Sequence, residues 1–509
     1  MTGTGRGGRV WVAVALAALA AGALAGQTAP ARLQLVVVVD GLRPDQVTAA
    51  GMPRLHALAT RGVRFTRHHA VFPTVTRVNA ATFVTGVLPA RHGLLGNSIY
   101  IPSVDPLRPI DTADHEALLK VAAADGQLLT APTLGQMLAK SGQRLLVVSS
   151  GSSGSALLLS PTNDAGTILH TEFARPEAWR ATSVALLGPT PAAGLPNAAR
   201  NRYATDLLLR IGLPEVRPDV VFLWYSDPDT TAHARGLDAP ETRASLTAVD
   251  GEIGRVEDWL RAHGRLDATN ILVTSDHGFV THTGGFDLPA LVKPFARQLP
   301  DGTPDIVVAG GAIHFRGAAD PGRVRVVVEA LQGHPAVGAI FTAPAAVGAA
   351  TAGVPGTLSF DLIGWGHPRA GQILVSPAWT DAVAGGMRGT STANGRAGHG
   401  SASPFEVTNT LIAAGPDFRE RAVSDVATGN VDVTPTLLRL AGVQLPESRF
   451  DGRVILEALR GDHAQPKVLV GGVTGGIGLA PAPAGYGVRQ DHTQVNGVRY
   501  FDSATATRR

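Results

Sequence analysis

The chain of 509 residues is long enough for several domains, although α/β enzymes of this size can keep one catalytic core. Apolar residues make up 44% and charged residues 17% of the sequence, a balance that excludes a disordered or coiled-coil protein. The formal net charge is only +3, so nucleic-acid binding gets no support, and the absence of cysteine excludes disulfides, thiolate catalysis and a cysteine-anchored lipoprotein.

The first 25 residues have the pattern of an export signal. Two arginines and no acid precede an apolar run from Val10 to Ala25, and small residues at Ala23 and Ala25 frame a cleavage site. The run of about 16 residues is short for a membrane span, and an uncleaved anchor is the alternative. We therefore predict a signal peptide over residues 1–25 and an exported protein, periplasmic or secreted, with no other membrane association.

Short β-branched runs alternate with helix-like segments after the signal. Four apolar runs of the buried-strand type lead into polar residues: Leu35–Val39, Leu145–Val148, Val220–Tyr225 and Ile271–Thr274. The segments between them are long enough for crossover helices. This alternation predicts an α/β fold with a mostly parallel central sheet and helices on both faces. In such sheets, ligands bind beyond the carboxyl ends of the strands.

Two regions interrupt the alternation. Residues 280–395 contain shorter strands among Gly, Ala and Pro, and we interpret them as an inserted cap subdomain. The catalytic core would then comprise residues 32–279 and 396–460. Residues 466–509 are predicted to form a Gly/Pro-rich C-terminal extension with a hairpin around Asn496-Gly497.

Carboxylates and imidazoles recur where predicted strands end. Asp40 follows the first strand, and Asp276 and His277 follow the last of the four. Asp229 and His233 stand four residues apart after the third strand. Because the carboxyl ends of parallel strands meet at one edge of a sheet, these dispersed side chains can converge there.

A sixth residue of this kind lies far downstream. His399 stands between two glycines ahead of an apolar strand, and His367, in comparable glycine-rich sequence, is the alternative. Three aspartates and three histidines are hard-to-borderline ligands that suit zinc or manganese. Six ligands are too many for one tetrahedral zinc, so we predict two metal ions. At roughly 4 Å separation, such ions can activate a nucleophile and polarise a phosphoryl oxygen together.

The nucleophile must be a hydroxyl in a chain without cysteine, and Thr76 is the best candidate. It lies at the predicted N-terminus of a helix, where free amides and the helix dipole favour an alkoxide and phosphoryl oxygens. Thr74 is the alternative. Asn97 lies 21 residues after Thr76, and its amide could hydrogen-bond a non-bridging oxygen of the substrate.

In their order along the chain, these motifs resemble the alkaline phosphatase superfamily, most closely its type I phosphodiesterase/nucleotide pyrophosphatase branch. The shared features are a strand-end Asp-Gly, Pro-Thr-x-Thr, a later Asn, Asp-x-x-x-His, Ser-Asp-His-Gly and a late Gly-His-Gly. The resemblance implies that Thr76 approaches one of two zinc ions and becomes transiently phosphorylated. The implied ligands are, for that first ion, Asp40, Asp276 and His277 and, for the second, Asp229, His233 and His399. Other divalent metals are possible in place of zinc.

This chain departs from the resembling families in two places. Diesterases of that branch continue the nucleophile segment with Phe-Pro-Asn-His, whereas Arg77-Val-Asn-Ala follows Thr76 here. The change removes an aromatic residue that could support a nucleobase. Threonine-type monoesterases use a Lys-x-Arg pair where this chain has the uncharged run Ser149–Ser155, which favours a diester or phosphonate over a monoester dianion. The run itself could cradle an anion or form a flexible loop.

The expected protein is therefore an exported two-zinc hydrolase of phosphate esters that cleaves phosphodiester or pyrophosphate bonds through a phosphothreonine. Its partner would be a small-molecule phosphate ester. One alternative is a phosphate monoesterase or phosphonate hydrolase in which a cation such as Arg77 replaces the missing pair. Another is an exported protein that binds metal without catalysis.

Several other polar residues have supporting interpretations. Asp227 and Asp287 are candidate hydrogen-bond partners of the ligating histidines. Four other histidines are interpreted as ordinary surface or supporting groups: His68, His69, His92 and His282.

Overall fold

A computed structural model describes residues 32–317, 320–346, 352–461, 463–475 and 485–508. The predicted signal peptide over residues 1–25 lies outside this range. Among the helices of the described residues, none has the length and apolar character needed to cross a membrane.

A nine-stranded sheet forms the centre of the fold. In spatial order its strands are Ala422–Ser424, Val63–Phe65, Leu411–Ala414, Thr269–Thr274, Leu33–Val39, Val220–Tyr225, Leu145–Ser149, Thr167–His170 and Ala174–Arg175. The Leu33–Val39 strand pairs in parallel with both of its neighbours, and Leu411–Ala414 is antiparallel to Thr269–Thr274. The mostly parallel sheet confirms the predicted α/β architecture.

The central strand is buried on both faces, as continuous apolar runs in parallel sheets are. Leu35, Val37 and Val39 enter one hydrophobic core, whereas Val36 and Val38 enter the other. Helices cover both faces. On the first face lie Pro53–Arg61, Ala198–Leu207 and Pro240–Ala262; on the second lie Thr76–Thr85, His115–Asp125, Leu134–Ala139, Ser153–Leu159 and Val433–Leu440.

The region predicted as a cap contributes two smaller sheets. One has the order Ile306–Ala309, Ala312–Phe315, Ile373–Pro377, Val337–Thr342 and Leu358–Ser359, and the helix Pro321–Gln332 accompanies it. The other has the order Trp379–Ala384, Met387–Ala393, Val280–Phe286 and Ala397–Gly398. Phe341 and Trp365 of this region share one apolar core with Phe83. The region therefore packs on the helices of the main sheet, and the domain boundaries stay a prediction.

The C-terminal residues form an antiparallel sheet of Val468–Thr474, Gly487–Val495 and Val498–Thr507. The turn between the last two strands has positive φ at Asn496 (50°) and Gly497 (91°), as a two-residue type I′ turn requires. The predicted hairpin is therefore confirmed. Its last strand buries Tyr500 and Phe501 against the rest of the protein.

A half-buried contact between His69 and Asp502 attaches this hairpin to the core. The His69 Nε2 lies 2.8 Å from Asp502 Oδ1, and the Thr493 hydroxyl donates to Asp502 Oδ2 over 2.8 Å. Burial raises the pKa of Asp502, but the hydrogen bond and charge of His69 outweigh it and hold the pKa below the ordinary 3.8. Because the folded-state pKa is depressed, the contribution of Asp502 to stability is complete above pH 3.8 and is lost as the pH falls through the folded-state value.

Asp502→Asn is expected to lower the free energy of unfolding at pH 7 by about 1.5–3 kcal/mol, the range for a hydrogen bond to a charged group. The difference from wild type should shrink as the pH falls below the ordinary carboxylate pKa. Urea unfolding at several pH values measures both effects. Asp491→Asn is the control, because this side chain on the same hairpin is 39% exposed against 21% for Asp502, and it should change stability by less than about 0.5 kcal/mol. Equal stability of the two variants at pH 7 would contradict a stabilising role for the contact between His69 and Asp502.

Candidate active site

The site lies at the carboxyl edge of the three central strands. Asp40 follows Leu33–Val39 directly and is buried. Its Oδ2 accepts the indole N–H of Trp224, at 3.0 Å, whereas its Oδ1 is buried without a hydrogen-bond partner. Gly41 makes this turn possible: its φ is +72°, and a Cβ there would lie 3.0 Å from the Phe279 ring and 3.2 Å from Asp229.

Asp276 and His277 follow the neighbouring strand Thr269–Thr274 and are fully buried. The Gly41 amide donates to Asp276 Oδ1 over 3.1 Å, while Asp276 Oδ2 lies 3.1 Å from His277 Nε2. His277 Nε2 is also 3.6 Å from Asp40 Oδ1. The His277 Nδ1 faces the Gly278 carbonyl at 3.0 Å, so Nε2 is the nitrogen that faces the carboxylates. These three side chains therefore converge as predicted.

The other predicted trio also comes together. The helix Asp229–Arg235 places Asp229 and His233 one turn apart, with His233 Nε2 at 3.3 Å from Asp229 Oδ1. His399 Nε2 lies 3.4 Å from the same oxygen. The Nδ1 atoms of both histidines face backbone carbonyls, those of Ala397 at 3.0 Å and Thr74 at 2.8 Å.

The two trios adjoin each other. The rings of His277 and His399 stack with centroids 3.5 Å apart. Ligand atoms lie within 4.8 Å of one another in two groups, Asp229 with His233 and His399, and Asp40 with Asp229 and His277. Asp229 thus belongs to both groups. His367 lies elsewhere, 3.3 Å from the Thr130 hydroxyl, so the geometry favours His399 over this alternative.

The donor set fits divalent metal ions. Within the described part of the chain, one oxygen on each of three aspartates is buried without a hydrogen-bond partner: Asp40 Oδ1, Asp229 Oδ1 and Asp276 Oδ2. Unpaired buried oxygens are costly unless a cation satisfies them. Each of the three histidines holds Nδ1 against a backbone carbonyl and turns Nε2 toward the carboxylates, the arrangement that orients metal-binding imidazoles.

The pKa values of the carboxylates are strongly perturbed. Burial, followed by the charges of Asp276 and Asp229, holds the pKa of Asp40 well above 3.8. Burial also acts to raise the pKa of Asp229, but the neighbouring imidazoles of His233 and His399 outweigh it and hold that pKa well below its usual range. A cation bound here would oppose the upward pKa shift of Asp40 and favour its ionised form.

The imidazoles differ from one another. Burial opposes charge on His277, but the Asp276 carboxylate outweighs it and raises the pKa of His277. Burial, together with the charge of His277, lowers the pKa of His399 to about 4. His399 is therefore already in the neutral form that binds metals at neutral pH.

Thr76 and Thr74 occupy different environments. Thr76 is the first residue of the helix Thr76–Thr85, and its Oγ1 lies 3.2 Å from His277 Nε2. Thr74 is fully buried, and its hydroxyl lies 2.9 Å from the Ser401 carbonyl. The Asn97 Oδ1 accepts the Arg77 amide over 3.0 Å, which turns the Asn97 NH₂ group away from that amide. Thr76, not Thr74, borders the metal-ligand cluster.

Two supporting predictions were wrong. Asp227 accepts the Asn197 amide at 2.8 Å and the Thr231 hydroxyl at 2.7 Å and bonds no histidine, because it holds the start of the Asp229 helix. Asp287 caps a short helix through the Ala290 amide at 3.1 Å. Backbone carbonyls take the histidine-orienting role that the two aspartates were expected to have.

The run Ser149–Ser155 is a strand-to-helix turn and not a flexible loop. Ser149 ends a strand, and Ser152 caps the helix Ser153–Leu159 by accepting the Ser155 amide at 3.2 Å. A Cβ on Gly151 would lie 3.2 Å from the Trp224 ring. The turn therefore packs beside the tryptophan that bonds Asp40.

Three supporting residues had no clear signal in the sequence. Trp224 is the penultimate residue of a buried strand and bonds Asp40; only its position across the sheet from the end of the Asp40 strand would have indicated it. Asn430 donates to the Asp276 carbonyl at 2.8 Å. Glu406 contacts the nucleophile segment from the far end of the sequence. All three depend on contacts between distant parts of the chain.

Gly398→Ala should disrupt the second trio. A Cβ at this position would lie 2.4 Å from His282 Cε1 and 2.9 Å from His233 Cε1, so an imidazole must move. We expect metal affinity to fall about 10-fold or more, as when other supports of metal ligands are lost, measured by zinc titration. Gly251→Ala, in the helix Pro240–Ala262 with no atom within 4 Å of the new Cβ, is the control. Unchanged zinc binding in Gly398→Ala would contradict the placement of His233.

A family model and the relatives found by sequence comparison point to the same group of enzymes. The family model for type I phosphodiesterase / nucleotide pyrophosphatase matches residues 34–402. The venom phosphodiesterase of Macrovipera lebetinus is 26% identical over 249 residues, 47% of this chain and 25% of that protein. Human ectonucleotide pyrophosphatase/phosphodiesterase family member 7 is 26% identical over 293 residues, 54% of this chain and 55% of that protein.

The fold has a solved counterpart. Murine ectonucleotide pyrophosphatase / phosphodiesterase 5 superposes with a TM-score of 0.58 at 18% identity, over 84% of this chain and 100% of that one. The chain spans about a quarter of the length of the venom enzyme and about half that of family member 7. Because the family model covers most of the sequence, the chain belongs to the type I phosphodiesterase/nucleotide pyrophosphatase family.

Proposed function

We propose that this chain is an exported, metal-dependent hydrolase that cleaves phosphodiester or pyrophosphate bonds of small molecules through a phosphothreonine at Thr76. The observation that carries the proposal is the Thr76 hydroxyl at 3.2 Å from His277 Nε2, beside three buried carboxylate oxygens without partners. Family membership supports the reaction class. The signal-like residues 1–25 support export.

Six side chains would hold the two ions. We assign Asp40, Asp276 and His277 to the ion beside Thr76, and Asp229, His233 and His399 to the other. The nitrogen and oxygen donors suit zinc, and also other divalent metals. When bound, two such ions would polarise the phosphoryl group, lower the pKa of the Thr76 hydroxyl and of water, and stabilise the departing oxygen.

The protein residues have distinct tasks. Thr76 Oγ1 attacks phosphorus, the bond to the leaving oxygen breaks, and the phosphoryl group is esterified to Thr76. The Asn97 NH₂ group donates to a non-bridging oxygen as charge develops there. Water then attacks phosphorus from the vacated side, the bond to Oγ1 breaks, and a phosphate monoester leaves when the substrate is a diester.

Turnover of activated esters tests this proposal. The purified full chain with zinc should hydrolyse bis(p-nitrophenyl) phosphate faster than p-nitrophenyl phosphate, lose activity with a chelator and regain it with zinc. N-terminal sequencing of the exported protein tests cleavage near residue 25. Stoichiometric metal binding without turnover of any activated ester would instead support the non-catalytic metal-binding alternative.

Arg77 favours a second candidate, hydrolysis of phosphate monoesters or phosphonates. Among the described residues its guanidinium forms no salt bridge, and its Nε is buried without a hydrogen-bond partner. Burial has the largest effect on the pKa of Asp40 and on that of His233, and the Arg77 charge acts to lower both values. Arg77 therefore lies near both trios. An unpaired arginine there could offset the second charge of a monoester dianion.

Arg77→Ala separates the two candidates. If the diesterase proposal is correct, the variant should keep its preference for the diester. If Arg77 binds a dianion, kcat/KM for p-nitrophenyl phosphate should fall at least about 10-fold more than that for the diester, the loss typical of a hydrogen bond to a charged group.

A further inference from the structure

A buried glutamate connects the segments that carry the proposed catalytic groups. Glu406 has 0% exposure and lies seven residues after His399. Its Oε2 accepts the Ser401 amide at 2.6 Å and lies 3.1 Å from the Thr74 hydroxyl. Its Oε1 accepts the Ser401 hydroxyl. Both carboxylate oxygens are therefore used, and both face the loop that follows His399.

These bonds lead to Thr76 and His399. Thr74 stands two residues before Thr76, and its carbonyl faces His399 Nδ1 at 2.8 Å. The Thr74 hydroxyl also accepts the Gly400 amide at 3.1 Å. Glu406 thus fixes the pair of segments whose relative position sets the distance from the nucleophile to the last histidine.

The backbone of the same residue reaches the third segment. The Glu406 carbonyl accepts the Gly278 amide at 2.7 Å, and the Gly278 carbonyl in turn faces His277 Nδ1 at 3.0 Å. A Cβ on Gly278 would lie only 2.2 Å from the Phe405 carbonyl oxygen, so this contact is close-packed. Residue 406 therefore touches all three segments: its side chain bonds Thr74 and Ser401, and its backbone carbonyl bonds Gly278.

We infer that Glu406 is a positioning residue, whose side chain holds the Thr76 segment against the His399 segment. This inference rests on the proposed function. The Thr74 hydroxyl and two donors of Ser401 all point at this carboxylate, so loss of one acceptor oxygen leaves a buried donor without its partner. A neutral residue of the same shape should therefore keep the fold but weaken the metal site.

Two variants and one control test the inference. Glu406→Gln keeps the volume but removes the charge and one acceptor; Glu406→Ala also removes the packing. We expect Glu406→Gln to lower kcat about 10- to 100-fold, with KM within about 3-fold of wild type. Zinc affinity, measured at whichever of the two metal sites binds less tightly, should fall by a similar factor. Glu257→Gln changes another buried glutamate, paired with Arg61 at the far end of the sheet, and should leave zinc affinity and kcat unchanged.

Visible spectroscopy of the cobalt-substituted protein gives a readout independent of turnover. Glu406→Gln should alter the absorption bands of the bound cobalt(II), whereas Glu257→Gln should not. If Glu406 variants fail to fold, Ser401→Ala removes one hydrogen bond to the same carboxylate and should shift zinc affinity and kcat in the same direction by less.

The outcomes separate the two proposals. Wild-type zinc affinity, spectrum and kcat in Glu406→Gln would overturn the positioning role. If the wild-type protein hydrolyses no ester, the proposed function fails, while zinc affinity and the cobalt spectrum still decide the role of Glu406. A thermal melting change in Glu406→Gln without any change in zinc affinity would reduce the residue to ordinary packing and also overturn the inference.

Discussion

Replacement of Thr76 by alanine is expected to lower kcat/KM for bis(p-nitrophenyl) phosphate by about 10⁴-fold or more, while about two zinc ions remain bound. The reason is that Thr76 Oγ1 is the hydroxyl placed beside His277, at the positive end of a helix dipole. Six other side chains would hold the ions, so loss of the hydroxyl should remove chemistry without emptying the site. Steady-state kinetics and metal analysis of the same preparation measure both quantities.

Thr76→Ser is the matched control. It retains a hydroxyl at the same position and should keep a large part of the activity. Trapping with a slowly released diester followed by mass spectrometry should find a phosphoryl group that keeps its second ester substituent on residue 76 in this variant and in wild type, but not in Thr76→Ala. Full activity of Thr76→Ala would refute the nucleophile assignment, although the fold and the metal cluster would stand.

The sequence was informative where chemistry and local pattern coincide. Apolar runs that end in Asp predicted both the strands and the edge at which Asp40 and Asp276 meet, because buried parallel strands place their carboxyl ends together. His399 is more than 300 residues from Thr76 in the sequence, yet its ring stacks on that of His277. Its two flanking glycines and the apolar strand that follows were what indicated it.

The supporting contacts were beyond such reasoning. Glu406 and Thr74 are 332 residues apart, and nothing local distinguishes Glu406 from any other glutamate early in a short helix. The serine-rich run misled for a physical reason: glycine and serine favour loops, but Ser152 is also a good helix cap. Asp227 and Asp287 likewise satisfy nearby backbone amides, a local role that competes with bonding a distant histidine.

Asp229→Asn is expected to reduce bound zinc from about two ions toward one and to lower kcat by about 10³-fold or more. Asp229 belongs to both groups of potential ligands, and its Oδ1 lies 3.3 Å from His233 Nε2 and 3.4 Å from His399 Nε2. The amide has nearly the same shape but carries no charge, and its NH₂ group cannot bind a cation. Zinc titration with kinetics on the diester measures the change.

Asp238→Asn provides the comparison, since it alters an exposed aspartate nine residues away and should change neither quantity. If Asp229→Asn kept two ions and normal turnover, Asp229 would not be the residue that connects the two trios. Loss of one ion with most activity retained would mean that a single ion beside Thr76 suffices. We expect both zinc binding and kcat to fall because the Asp229 carboxylate lies between the two trios. One trio adjoins Thr76, and the other would stabilise the leaving oxygen. Removal of the carboxylate should therefore affect both steps of the reaction.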